Sequence, residues 1–193
     1  MEGNEQNLSV RCKSTVLLHL VKINDLAHIF SEERRGFHLL QSWLTGICLK
    51  NDQIAYNVIS TMWILSYHQH SLVHFGDYGL NLIEATSKIL DYYNKEKIVR
   101  IVTMLFMNLK NDKECLDHLS MINALNLVTK LQNRPWVDKD ISENLELLFK
   151  FFDANYQEFS SFEKWKKQVS KLQFSWSTVH TEKFWQTAFV NFN

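Results

Sequence analysis

One amphipathic stripe occurs three times in this 193-residue chain. In segment 94–109, Ile98, Ile101, Val102, Leu105, Phe106 and Leu109 follow the spacing i, i+3, i+4, i+7, i+8, i+11. That spacing gathers them on one side of an α-helix. Ile54, Val58, Met62 and Leu65 stand 44 residues before Ile98, Val102, Phe106 and Leu109; Ile141, Leu145, Phe149 and Phe152 stand 43 residues after them. Each copy opens on a polar cluster: Asn51-Asp52, Asn94-Lys95-Glu96 and Asp138-Lys139-Asp140. Asn94 is expected to cap the middle copy, its side-chain oxygen accepting from a free N–H of the first turn. A helix this apolar must pack on neighbours, and its own copies are available.

A period of roughly 40–47 residues with two or three helices per unit marks HEAT and armadillo arrays. The fold expected is therefore all-α, an armadillo/HEAT-like helical solenoid, with an ordinary helical bundle as the rival. Second halves of the repeats agree less well, although Leu80-Asn81-Leu82 recurs as Leu125-Asn126-Leu127. One proline and five glycines leave too few turn residues for many short strands.

A formal net charge of zero argues against a nucleic-acid binder, which carries a basic footprint. The amino terminus lacks a basic region followed by an apolar run, so it does not read as a signal peptide. No apolar run approaches the ~18 residues of a membrane span. A cytoplasmic protein without direct membrane insertion is expected. Cys12, Cys48 and Cys115 are odd in number and far apart, and are read as buried free thiols rather than a disulfide framework.

Along the chain, residues 1–8 are expected to fray. Segment 9–30 reads as one helix, with a possible break near Asn24-Asp25 and only a loose match to the repeat. Residues 31–36 read as a polar turn. A helix over 37–50 follows, and Gly46 inside it suggests a close neighbouring helix. Segment 52–67 is apolar nearly all round and should be central. Gly76 and Gly79 suggest a turn before a helix over 80–93. Segment 115–131 holds two helices, closed at Asn133-Arg134-Pro135.

Two clusters invite a chemical reading. His70 and His74 are spaced i, i+4, with His68 nearby, which can suit zinc; without an HExxH or cysteine partner they read as exposed turn histidines. Asp138, Asp140, Glu143 and Glu146 could suggest calcium or paired catalytic carboxylates. The EF-hand glycine and spacing are missing, and Asp140 with Glu143 resembles a capping box that complements the helix dipole. No metal, cofactor or catalytic residue is assigned.

The chain closes on apolar and aromatic residues. Ser160-x-x-Glu163 is a second capping box, opening a helix with Phe162, Trp165, Val169 and Leu172 inward. Segment 182–192 carries Phe184, Trp185, Ala188, Phe189 and Phe192 on one helical face. A large bare apolar patch is expected to mark a missing partner or domain.

Residues 160–185, SSFEKWKKQVSKLQFSWSTVHTEKFW, resemble the junction segment of the H subunit of the vacuolar-type proton-translocating ATPase (V-ATPase). Ser161-Phe162-Glu163, Trp176-Ser177, Val179-His180 and Glu182-Lys183-Phe184-Trp185 carry the match. Upstream, Lys95-Glu96-Lys97-Ile98-Val99-Arg100-Ile101 and Asp138-Lys139-Asp140-Ile141-Ser142-Glu143 resemble two family blocks in the same order. Tyr56, Trp63 and Leu65 fit a third. Thr178 stands where the family has proline, one residue is missing between His180 and Glu182, and Gln186-Thr187-Ala188 replaces the family's Arg-Glu-Asn.

The resemblance implies armadillo-like repeats over residues 1–160. Residues 161–193 would form a junction segment leading to a carboxy-terminal domain beyond the chain, which is then similar to a fragment or reduced member. It implies a non-catalytic regulatory subunit that docks on the peripheral stalk formed by the E and G subunits. Such a subunit supports the coupling of ATP hydrolysis to proton transport, on the cytosolic face of vacuolar or endosomal membranes. Trp176, His180, Phe184, Trp185 and Phe189 are the implied interaction residues. An armadillo-type peptide-binding adaptor is the alternative, but no tryptophan here has asparagine four residues on. An enzyme is disfavoured, because no phosphate loop, GxSxG elbow or HExxH occurs.

Overall fold

The computed structural model describes residues 2–32, 34–93 and 95–155. These form nine α-helices and one 3-10 turn, with no strand among the described residues. The helices are α1 (Glu2–Leu20), α2 (Asn24–Glu32), α3 (Arg34–Thr45), α4 (Asp52–Leu65), α5 (Gln69–Tyr92), α6 (Glu96–Leu109), α7 (Lys113–Met121), α8 (Ala124–Gln132) and α9 (Lys139–Ala154). They stack in two layers. In one, α1 packs on α4, α4 on α6 and α6 on α9. In the other, α2 and α3 pack on α5 and α5 on α7, while α8 packs on α9 and α7. This is the solenoid that the sequence period predicts.

The three matched stripes become α4, α6 and α9, in register and side by side. Ile54, Val58, Met62, Leu65, Ile98, Val102, Phe106, Leu109, Ile141, Leu145 and Phe152 are all buried. Phe149 is the exception: it is half-buried, and Leu148 fills the core position beside it. The prediction for segment 52–67 holds, since nine residues of α4 are buried.

Side-chain caps fix several helix starts. Asn51 accepts from the N–H groups of Gln53 and Ile54 at 3.0 and 3.1 Å. Asp112 accepts from Cys115 N–H at 3.0 Å. Asp138, not Asp140, caps α9, accepting from Asp140 N–H at 3.0 Å, so the expected capping box gives way to a simple aspartate cap. Lys95 occupies the cap position of α6 without a side-chain capping bond, and Asn94 lies outside the described residues. Between α7 and α8 the chain turns at Asn123, φ 55°. Asparagine tolerates this left-handed conformation better than most residues.

Other local expectations fail for tertiary reasons. Helix α1 begins at Glu2, so residues expected to fray extend it. The break before α2 falls at residues 21–23, with Val21 buried beneath it. Residues 31 and 32 remain in α2 and α3 starts at Arg34. Ser31, read as part of a turn, is buried and hydrogen-bonded to Ser71 of α5. Gly36 lies within α3, where a Cβ would sit 2.6 Å from Phe30 Cζ; the close approach belongs here and not at Gly46. Gly46 ends α3 before the 3-10 turn Ile47–Leu49, and the nearest atom to a Cβ there is the Ser42 carbonyl oxygen at 3.2 Å. Helix α5 runs unbroken through Gly76 and Gly79. Each glycine costs about 1 kcal/mol in a helix, less than the burial of Phe75, Leu82 and Ile83 on either side returns.

Cys48 and Cys115 are buried as expected, and Cys12 is exposed. It lies on α1, the end helix of its layer, and its face is uncovered among the described residues.

Candidate interaction surface

The surface is built on the α1–α4–α6–α9 layer. Its helices are tied to one another at their starts. Asp52 of α4 receives Lys95 Nζ at 2.8 Å and Lys97 Nζ at 3.0 Å. These two ammonium groups hold its carboxyl down at about 2, because they favour the charged form. Glu96 accepts from Val137 N–H at 2.6 Å, and Arg100 pairs with Asp138, the cap of α9. Deeper in the layer, Asn57 Nδ2 donates to Ser14 Oγ at 3.2 Å and Thr15 Oγ1 at 2.9 Å, joining α4 to α1. Asn108 Nδ2 donates to Ser66 Oγ at 2.9 Å, joining α6 to the end of α4.

Aromatic and apolar side chains are also found at partly exposed positions of this layer. Tyr56 and Trp63 lie at i and i+7 on one stripe of α4, and Tyr67 follows in the turn after it. Met107 stands 44 residues after Trp63, and Leu147 stands 43 residues after Met104, in a separate alignment. Tyr67 is 65% and Leu147 52% exposed, while Tyr56, Trp63, Met104 and Met107 are half-buried. Trp63 meets Tyr67 edge-on, with ring centroids 5.6 Å apart. Lys97 Nζ lies 5.9 Å from the Tyr56 ring centroid, and Lys110 Nζ 4.5 Å from that of Phe151. Aromatic and methionine side chains are enriched at protein-binding faces.

The chemical readings do not assemble. Among the described residues no group of three or more His, Cys, Asp or Glu side chains could hold a metal. His68 occupies the cap position of α5, and His70 and His74 sit in that helix rather than in a turn. His70 stacks on His28 of α2 at 4.9 Å, and His74 packs on Phe37 at 5.3 Å. Asp138 is absorbed by capping and by Arg100, and Glu146 pairs with Lys150 at 2.5 Å. No helix among the described residues is long and apolar enough to cross a membrane. Trp176, His180, Phe184, Trp185 and Phe189 lie outside the described residues, as do the helices expected over 160–192. Tyr56 and Trp63 entered the sequence reading only through the family resemblance, and Tyr67, Met104, Met107 and Leu147 were not singled out; the 44-residue offset from Trp63 was the signal that could have found Met107.

The sequence model of the V-ATPase H subunit family matches residues 2–150. The chain belongs to that family. Among its curated relatives is the V-type proton ATPase H subunit of Dictyostelium discoideum, 28% identical over 182 residues, which cover 89% of the chain. A probable V-type proton ATPase H subunit of Caenorhabditis elegans, the one numbered 1, is 30% identical over 198 residues, covering 92% of the chain. The V-type proton ATPase H subunit of Drosophila melanogaster is 28% identical over 144 residues, covering 70% of the chain. The first two alignments take in more of the chain than residues 2–150, so the likeness extends beyond residue 160. The chain spans 39% of the Dictyostelium protein, 40% of the Caenorhabditis protein and 30% of the Drosophila protein.

Proposed function

We propose that this chain is a non-catalytic, regulatory module of the V-type proton ATPase that docks on the peripheral stalk formed by the E and G subunits. The observation that supports the reading is the family match over residues 2–150, which spans nearly the whole helix ladder. A stack of helices locked at its starts by Lys95, Lys97 and Asp52 offers a long, rigid face, suited to lie along a coiled-coil stalk. The row from Tyr56 and Trp63 to Met107 and Leu147 is the docking face, and docking there supports the coupling of ATP hydrolysis to proton transport. Residues 1–160 form the array. Residues 161–193 form the junction, with Trp176, His180, Phe184, Trp185 and Phe189 as its interaction residues. The module works peripherally, on the cytosolic face of vacuolar or endosomal membranes.

Calorimetric titration of the purified chain with the E–G heterodimer at moderate salt tests this. Saturable 1:1 binding, weakened by Trp63→Ala with the fold intact, is expected. A folded, monomeric chain that does not bind would overturn the stalk reading. An ATPase assay on the isolated chain is expected to show no turnover.

A further inference from the structure

Helices α1, α2 and α3 border an apolar cleft that the stalk reading does not use. Its volume is about 420 Å³, and its lining includes Leu17, Leu20, Ile29, Phe30, Leu39 and Arg35. Gly36 shapes one wall: a Cβ there would stand 2.6 Å from Phe30 Cζ and drive that ring outward. Ile29 is 57% and Leu39 42% exposed, so the cleft leaves apolar surface in water that a ligand would cover. Arg35 is the one charged residue in the lining and is itself exposed. No acidic side chain pairs with it among the described residues. An apolar cleft of this size with a single polar group converging on it has the form of a small-ligand site.

We propose that this cleft binds a free fatty acid, with the alkyl chain along Leu17, Leu20, Ile29 and Leu39 and the carboxylate on Arg35. Three properties select that ligand. The first is the lining. Every lining residue other than Arg35 is aliphatic, phenylalanine or glycine, so a ligand body with polar groups would lose its water and gain no partner. The second is the charge. The planar guanidinium fork matches the two oxygens of a carboxylate, and Arg35 has no acid of the described chain to satisfy it. The third is the volume. On the scale by which a cavity of ~150 Å³ takes benzene, this cleft takes one chain of roughly ten to sixteen carbons. A bilayer lipid brings two chains and fits less well. The proposal is independent of stalk docking.

The test is calorimetric titration of the full chain with decanoate. Decan-1-ol and decyltrimethylammonium carry the same alkyl chain with a neutral and a cationic head. Decanoate should bind saturably at 1:1, about threefold to fivefold tighter than decanol, the worth of one solvent-facing ion pair. The cation should bind weakest. From octanoate to dodecanoate, affinity should rise about two- to fourfold per methylene, as expected for a chain leaving water for a partly open apolar site. Arg35→Gln should bring decanoate down to the affinity of decanol and leave decanol unchanged. Leu39→Asp, at a position outside the buried core, should abolish binding of both, with the helical circular dichroism spectrum retained. Equal affinity for the three heads, binding indifferent to Leu39→Asp, uptake of several decanoates per chain, or no uptake by a folded chain would each overturn the proposal. Two parallel measurements identify other occupants. Sedimentation with phosphatidylserine vesicles but no uptake of soluble acid would assign the cleft to a bilayer. A dimer that Leu39→Asp converts to monomer, again without uptake, would assign it to a second copy. Either result would overturn the fatty-acid reading. Binding to E–G is read separately, so either idea can fail alone.

Discussion

Asn57 Nδ2 donates to Thr15 Oγ1 across 2.9 Å and so binds α4 to α1, 42 residues away in the chain. The same amide reaches Ser14 Oγ and accepts from Gln53 Nε2 at 3.0 Å. Asn57 is buried, so truncation removes three bonds in a dry place. Asn57→Ala should cost about 2 kcal/mol, within the range for stripping a buried polar network. Thr15→Ala should cost less, because Thr15 is exposed. In urea denaturation the double variant should be more stable than the sum of the two losses predicts, since both remove one shared bond.

Asp52 makes stability depend on acid. Its carboxyl is held at about 2 by Lys95 and Lys97, against ~3.9 in an unfolded chain. The folded state therefore binds fewer protons between these values. The stabilisation is fully present above about pH 4 and is lost as pH falls through about 2. Asp52→Asn should cost no more than about 1 kcal/mol at neutral pH, the ceiling for a largely solvent-facing pair. The difference from wild type should shrink in high salt and vanish near pH 2. A cost that persists there would place the effect elsewhere.

The three thiols should separate by reactivity. Cys12 is exposed, whereas Cys48 and Cys115 are buried. Burial pushes the Cys48 thiol up to about 12. Burial, aided by the neighbouring Asp112 carboxylate, pushes Cys115 up as well. The thiolate is the reactive form. A disulfide reagent at pH 8 should titrate one thiol quickly in the native chain and the other two only upon unfolding. Cys12→Ser should abolish the fast phase.

Leu148 and Phe149 test the register of α9. Leu148 is fully buried and Phe149 half-buried. Leu148→Ala should cost about 2–5 kcal/mol, the range for a cavity in a packed core. Phe149→Ala should cost less despite deleting more atoms. The reverse order, in chemical denaturation, would return Phe149 to the core position that the repeat pattern assigns it.

Local sequence was a poor guide wherever a neighbour decided the outcome. Ser31 and Gly36 look like turn residues, yet Ser71 and the Phe30 ring hold them inside helices. Glycines 76 and 79 look like a break, yet α5 passes through. The place of α1 in the layer was hidden for the opposite reason. Its contact with α4 runs through Ser14, Thr15 and Asn57, polar residues that an apolar pattern does not register.

What the sequence determined by itself was the repeat: its period, the core faces of α4, α6 and α9, and the family. Those properties are written in hydrophobic spacing and motif identity, which act along one helix at a time. Only the tertiary structure decided how the copies meet. It placed Lys95 and Lys97 on Asp52, Arg100 on Asp138 and the Asn57 amide on Thr15. These depend on distances between residues some 40 positions apart, and such distances are set by packing two helix faces together, not by either face alone.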